Sequence, residues 1–308
     1  MKKALVFGGS GFLGSHVSDE LIKSGYDVTI FDRVASTFLS EEQNLITGDI
    51  LDREAVKNAV KNTDIVFHFA AMADIQETID NPVAAASFNI IGTMNILDAC
   101  REYKIERIVY SSTIYVYSNQ GSFYRSSKQA CESFIENYQK EYNLTFTILR
   151  YGSLYGPRAN NFNFVRNCIR QALLEGRIVR KGDGEEIRDY INIIDAAKST
   201  VMSLKDEYKN SYLMITGQQS IKVKELLAMI KEIMNDQIEI EYTNESMQGH
   251  YKTTPYFFKP KVALKITPNN FHDLGQGILD SVYEIYQELK SNGQEAHKFL
   301  EENNLKRN

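Results

Sequence analysis

Three evenly spaced glycines, Gly8, Gly11 and Gly14, stand between the apolar run at residues 4–7 and a stretch of helical periodicity at residues 12–24. Few folds tolerate that juxtaposition. A run apolar at every position is a strand buried on both faces. The first glycine allows a tight turn at positive φ. The second lets backbone approach a bound group, and the third lets helix pack on strand. The helix N-terminus then offers unpaired N–H groups and a positive dipole end to an anion such as a pyrophosphate. Spacing alone fits an ordinary β-α turn equally well; the strand before it and the helix after it favour the anion site.

Asp32 strengthens this reading. It ends a second strand, at residues 27–31, about 20 residues beyond the turn, where a carboxylate accepts hydrogen bonds from ribose hydroxyls. The same charge repels a 2′-phosphate, so NAD is expected over NADP, with Arg33 the neighbouring cation that argues the other way. Asp49, in Gly48-Asp49-Ile50, is placed either to reach an adenine edge or to serve as a plain turn residue. Phe12, Leu13 and Ile50 complete the expected cofactor contacts on these turns.

Further strands are expected at 44–47, 65–69, 107–110 and 145–149, with helices at 52–62, 82–102 and 124–142. Repeated β-α-β with buried strands predicts a Rossmann-type, doubly wound parallel α/β sheet. Beyond Tyr151 the pattern changes. Helices at 163–176, 221–235 and 274–291 mix with strands at 187–193 and 238–242, and a loop-rich run at 252–268 carries three prolines. The chain therefore reads as an NAD-binding domain at 1–155, rejoined by elements at about 185–217, and a smaller α/β substrate-binding lobe at 156–308.

Composition narrows the function classes. A chain of 308 residues, 43% hydrophobic and 24% charged, can build a full core, and its net charge of -5 argues against a nucleic-acid partner. Cys100, Cys131 and Cys168 are scattered, which fits neither a disulfide framework nor a zinc site, and no metal is expected. The apolar run before Gly8 is too short for a signal peptide, and no apolar run reaches membrane-spanning length. A cytoplasmic protein without a membrane partner is expected.

Tyr124 and Lys128 lie four residues apart in a helical pattern, so their side chains share one face. An ammonium beside a phenol is expected to lower the phenol's pKa from about 10. A phenol so poised can take a proton from a sugar hydroxyl while hydride leaves the same carbon. The same spacing recurs at Tyr286 and Lys290, where no chemistry is assigned. What distinguishes Tyr124 is the preceding strand, which runs into Ser111-Ser112-Thr113 and sets hydroxyls at a strand's C-terminal end, where doubly wound sheets bind ligands. Thr113 can share a substrate oxygen with Tyr124; the plainer alternative is a hydroxyl cluster satisfying backbone groups.

With these residues in place, the chain resembles the extended short-chain dehydrogenase/reductase family, and within it the nucleotide-sugar epimerases and dehydratases of the UDP-glucose 4-epimerase type. The resemblance covers nearly the whole chain. It rests on Gly8-Gly9-Ser10-Gly11-Phe12-Leu13-Gly14, Phe67-His68-Phe69-Ala70-Ala71, Asn89 in Phe88-Asn89-Ile90-Ile91-Gly92-Thr93, and Val109-Tyr110-Ser111-Ser112-Thr113. It continues through Tyr124 and Lys128, the run from Leu149 to Arg158, Gly182-Asp183-Gly184 and Arg188-Asp189-Tyr190-Ile191. The resemblance implies that Ala70 and Ala71 line the cofactor's path and that Ser111 and Tyr151 lie near it. It implies Thr113 as the catalytic hydroxyl, Tyr124 as base, Lys128 as a holder of the nicotinamide ribose, and Arg188 as a contact to the donor's ribose or phosphate. It also implies a homodimer through the helices at 83–103 and 124–142.

The chain departs from the family pattern in places. Only six residues separate Tyr117 from Tyr124, a short link. Ser153 stands where a substrate-binding Asn is common, Lys181 replaces an aromatic, and Asn192 replaces a His. His250, Lys252 and Lys261 are the basic candidates for a diphosphate grip, Lys261 being carried with Ser153, Lys181 and Arg188 in the expected substrate set. The similar 4,6-dehydratases follow the Thr with an Asp-Glu pair, and related decarboxylases need a carboxylate there. A related epimerase/reductase places a Cys two residues past its catalytic Ser. Ile114 and Tyr115 supply none of these, so NAD-dependent 4-epimerisation of a nucleotide-diphosphate sugar is expected. The alternatives are a 4-dehydrogenase releasing a keto sugar, a non-catalytic NAD-sensing regulator, and a carbonyl reductase for another substrate.

Overall fold

The computed structural model describes residues 1–243, 264–266, 268 and 270–294. Its thirteen strands are β1 (Lys3–Phe7), β2 (Asp27–Asp32), β3 (Gln43–Thr47), β4 (Ile65–His68), β5 (Arg107–Thr113), β6 (Phe146–Tyr151), β7 (Ser153–Tyr155), β8 (Arg177–Lys181), β9 (Ile187–Asn192), β10 (Ser211–Ile215), β11 (Ser220–Lys222), β12 (Glu239–Thr243) and β13 (Leu264–Lys265). The chain forms two compact units.

The first unit comprises Met1–Gly152, Ile194–Thr216 and the segment holding β13. Its sheet has eight strands in the order β13-β10-β6-β5-β4-β1-β2-β3, and every pairing is parallel. This is the doubly wound sheet that the alternating pattern predicts. Ala4, Leu5, Val6 and Phe7 of the central β1 are all buried, because crossovers cover both faces of a parallel sheet. Around it run α1 (Phe12–Lys23), α2 (Arg53–Val60), α3 (Ile75–Asp80), α4 (Pro82–Ala86), α5 (Gly92–Glu102), α6 (Ser122–Tyr142) and α8 (Ile193–Met202), the last joining at Ile194. Strand β5 runs further than expected. Ser111, Ser112 and Thr113 lie within it, in register with Leu149, Arg150 and Tyr151 of β6.

The helix expected at 82–102 is continuous but not uniform: Ser87–Ile91, between α4 and α5, is a π-helix. Pro82–Glu102 is long and apolar enough to cross a membrane by length and composition, although Asn89, Thr93 and Asp98 interrupt its apolar run. In the structure its Ile96, Leu97, Ala99 and Cys100 are buried in the core of the first unit against β-sheet residues such as Leu5 and Ile108.

The second unit comprises Ser153–Ile193 and, from Gly217, the elements β11, α9 (Val223–Ile233), β12 and α10 (Leu274–Ser291), with α7 (Phe164–Glu175) in its first part. It holds a three-stranded sheet, β11-β9-β7, and a parallel pair, β12-β8. Ile169, Leu173, Leu226, Ile230, Ile278 and Ile285 bring α7, α9 and α10 onto one core. Short strands β7, β8, β10 and β11 escape a periodic reading because three to five residues cannot establish a period. His250, Lys252 and Lys261 lie outside the described residues.

The glycine turn is tight enough to test. A Cβ on Gly14 would lie 2.1 Å from the Gly8 carbonyl oxygen. Gly14→Ala is expected to destabilise the protein by about 1–3 kcal/mol, the usual cost of overpacking. A fall in the urea unfolding midpoint at unchanged slope would report it.

Candidate active site

At the C-terminal ends of β1, β2 and β4, a cleft is lined by Gly8, Gly11, Phe31, Asp32, Arg33, Gly48, Ile50, Phe69, Ala70, Ala71 and Phe88. Gly8 has a φ of 79°, and a Cβ there would fall 2.5 Å from the Ala70 backbone nitrogen. Gly11 caps α1 with no side-chain hydrogen bond, and no acidic residue lies in the first turn of that helix. The first turn of α1 thus has no capping side chain and no acidic residue, an arrangement that suits an anion. Asp32 is oriented by its own backbone: Oδ2 accepts from Ser10 N–H at 3.0 Å and Oδ1 from Arg33 N–H at 2.7 Å. Arg33 stacks on Phe88, 4.7 Å from the ring centroid.

Not every expected contact falls on this cleft. Asp49 Oδ1 accepts from Leu51 N–H at 2.9 Å, the plain turn arrangement, and neighbouring Gly48 and Ile50 line the cleft. Leu13 is buried, and Phe12 meets His16 edge-on at 6.3 Å. Tyr151 is buried with its hydroxyl bonded to Thr200 Oγ1 at 2.5 Å. Phe31, Phe69 and Phe88 line the cleft without any sequence signal beyond apolarity.

Helix α6 and strand β5 bring Thr113, Tyr124 and Lys128 together. The Tyr124 hydroxyl is hydrogen-bonded to Thr113. Lys128 donates from Nζ to the Ser111 carbonyl at 2.7 Å and lies 4.8 Å from the Tyr110 ring centroid and 5.8 Å from that of Tyr124. Burial pushes Lys128 down to about 8 and holds the Tyr124 phenol well above its ordinary range, with the Thr113 bond pulling it partly back. The expected lowering of Tyr124 by Lys128 is absent from this geometry. The ammonium is turned to the Ser111 carbonyl, and burial of the phenol outweighs it.

Behind these residues lies a buried polar frame. Asn89, in the π-helix, accepts from Met72 N–H at 2.7 Å and donates to Met72 O and Ser127 Oγ, both at 3.0 Å. Its carbonyl accepts from Thr93 Oγ1 at 2.6 Å and from Cys131 Sγ at 3.2 Å. His68 bonds Thr93 through Nε2 at 2.9 Å, and burial, helped by Lys128, pushes it down to about 3, so it is neutral. Glu132 accepts from Arg150 Nε at 3.0 Å, from its NH2 group at 2.6 Å, and from Ser112 Oγ at 2.6 Å. Arg150 also donates to Tyr117 Oη at 2.6 Å. Sequence reading missed Glu132, although it follows Lys128 by one more helical turn of four residues.

The expected substrate residues belong to the second unit. Ser153 opens β7 opposite Tyr190, and Lys181 ends β8 exposed. Arg188 is buried on β9, donating to the Ile187 carbonyl at 3.0 Å. Tyr286, of the second Tyr-Lys pair, is a core residue of this unit.

A family model described as the NAD dependent epimerase/dehydratase family matches residues 4–213. The chain belongs to that family. As a member, it takes NAD as its cofactor, and the open α1 terminus, the Gly8 cradle and the oriented Asp32 carboxylate suit a dinucleotide. A "Putative UDP-glucose 4-epimerase" of Methanocaldococcus jannaschii is 32% identical over 74% of this chain and 81% of its own. The UDP-N-acetyl-alpha-D-glucosaminuronate decarboxylase of Bacillus cytotoxicus is 28% identical over 78% of this chain and 82% of its own. The structure of Thermotoga maritima UDP-glucose 4-epimerase with UDP-glucose superposes with a TM-score of 0.82 at 26% identity, covering 93% of this chain and 99% of that one. Family membership thus fixes an NAD-dependent enzyme of nucleotide-sugar chemistry, within which relatives carry out different reactions.

Removing the Glu132 carboxylate would leave the buried Arg150 guanidinium without the charge that balances it. Glu132→Ala is expected to lower stability by about 3–5 kcal/mol, and chemical unfolding followed by circular dichroism would measure it.

Proposed function

We propose that this enzyme is a nucleotide-sugar 4-epimerase. The observation that carries the proposal is the Tyr124–Thr113 hydrogen bond beside Lys128, with no carboxylate at positions 114 and 115. When bound, oxidised NAD supplies a two-electron acceptor and a positive charge beside the phenol. Tyr124 takes the proton of the sugar C4 hydroxyl, and Thr113 donates to the same oxygen. Lys128 adds positive charge and holds the nicotinamide ribose. Gly8 and Gly11 would hold the pyrophosphate and Asp32 the adenosine ribose, with Arg33, Ile50, Ala70 and Ala71 along the rest of the cofactor. Arg188 would contact the donor's ribose or a phosphate, with Ser153 and Lys181 as further substrate contacts. Once the keto sugar has turned its other face, Tyr124 would return the proton to the C4 oxygen as the hydride held by the reduced cofactor came back to C4, giving the 4-epimer with the cofactor oxidised again. Dehydration and decarboxylation each call for a carboxylate that Ile114 and Tyr115 do not supply.

Incubation with NAD and a panel of UDP-, GDP-, CDP- and dTDP-sugars, read by proton NMR, tests this reading. A new 4-epimer with NAD unchanged overall is expected. Stoichiometric NADH with a keto sugar would replace it with a 4-dehydrogenase, and no turnover of any donor would sink it. Tyr124→Phe is expected to lower kcat by about 10²–10⁴-fold, the worth of a positioned base.

The proposed partner is a second copy of the chain. Val83 and Ile91 on the segment Pro82–Glu102, and Phe123, Phe134 and Tyr142 on α6, are exposed. Burying such a surface against its copy would account for its apolar character. Sedimentation should give a dimer for the native chain and a monomer for the Ile91→Glu/Phe134→Glu double variant.

A further inference from the structure

The residue that stands where similar enzymes keep an acid or a thiol has a structural position of its own. Thr113 is the N-cap of the 3-10 turn Ile114–Tyr117, and its Oγ1 accepts from Tyr115 N–H at 3.2 Å. The hydroxyl that bonds Tyr124 is therefore held in place by the backbone of Tyr115. The half-buried Tyr115 ring meets Tyr124 edge-on, with centroids 6.5 Å apart at 76°. Behind the Tyr115 ring lies Gly121, at a φ of 93°, where a Cβ would fall 2.7 Å from a ring carbon.

The short link before α6 makes this wedge rigid. Arg125 donates to the Ser118 carbonyl at 3.0 Å, and Gln129 Nε2 donates to the Val116 carbonyl at 2.9 Å. Ser118 Oγ accepts from Gln120 N–H at 3.0 Å and closes the turn. Helix α6 is thus tied at Val116 and Ser118 to the element that presents Tyr115. A longer link would not need Gly121 against the ring.

We propose that Tyr115 is a positioning residue of the reaction: its ring, wedged between Gly121 and Tyr124, and its N–H on Thr113 keep the two reacting hydroxyls together. The inference rests on the 4-epimerase reading only for its kinetic readout. The ring does the positioning, and the Tyr115 hydroxyl is not an acid or base of the reaction. Its proximity also opposes ionisation of Tyr124, in line with close approach of the two phenols.

Kinetics of Tyr115→Phe and Tyr115→Ala test this. Tyr115→Phe should keep kcat within about twofold, whereas Tyr115→Ala should lower it by about 10–100-fold with KM little changed, the scale of a misplacement near 1 Å. Full kcat in Tyr115→Ala would overturn the proposal. So would an equal loss in Tyr115→Phe, which would make the hydroxyl the working group. Gly121→Ala, which displaces the same ring from behind, should reproduce the kcat-selective loss if Tyr115→Ala proves too unstable to assay. A second readout needs no substrate. In protein carrying isotope-labelled tyrosine, the Tyr124 ring-carbon resonance, assigned with Tyr124→Phe, should shift in Tyr115→Ala and in Gly121→Ala but stay in Tyr115→Phe. An unmoved resonance in both would overturn the inference, even in an enzyme that turned over none of the sugars tested.

Discussion

The buried ion pair between Arg150 and Glu132 sets the geometry on which the reacting groups depend. Both side chains are almost wholly enclosed, at 3% and 5% exposure. Two charges at that depth pay heavily in lost hydration, so the pair persists only because nearly every polar atom around it is engaged. Ser112 and Tyr117 complete the set, and the guanidinium is stacked between the rings of Tyr117 and Tyr212, 4.6 and 4.5 Å from their centroids. The consequence is rotational. Tyr124, Lys128 and Glu132 follow at intervals of four on α6, so a helix pinned at Glu132 presents the other two at one fixed angle. Ser112, which also binds Glu132, sits between Ser111 and Thr113, the partners of Lys128 and Tyr124.

Burial then decides protonation. His68 and Lys128 are buried and Tyr124 is half-buried in the first unit, and each is pushed toward its neutral form. A neutral phenol is a poor base, and a cation placed beside it would favour its ionisation. The π-helix belongs to the same design. By leaving the regular hydrogen-bond pattern, Ser87–Ile91 offers the Asn89 carbonyl to Thr93 and Cys131, while its amide spans Met72 and Ser127.

Much of this was legible from local sequence. Gly8, Gly11, Asp32, Ala70 and Ala71, expected at the cofactor from sequence, line one cleft in the structure. Thr113, Tyr124 and Lys128 are read together because strand end and helix face are both periodic features. Asp49 was legible only as one of two choices, and its turn hydrogen bond belongs to the plainer one. Glu132, Arg150 and Tyr115 were not legible as a frame. Charged or aromatic residues on a helix or strand ordinarily face solvent or fill a core, and nothing local says that two of them meet. The effect of Lys128 on Tyr124 was read from spacing alone, and spacing does not register how deeply both groups are buried.

The sequence by itself determined the parallel doubly wound sheet, the glycine turn before α1 and the sharing of one helix face by Tyr124 and Lys128. These follow from hydrophobic period, glycine conformational freedom and i to i+4 helix geometry, all of which act within a few residues. The tertiary structure alone decided which carboxylate pairs with Arg150, where the Lys128 ammonium points, how the short link presses Tyr115 against Tyr124, and which groups lose their charge. Each depends on residues distant in the chain sharing one dehydrated space, where loss of solvent and the choice of partner outweigh any intrinsic preference of the side chain.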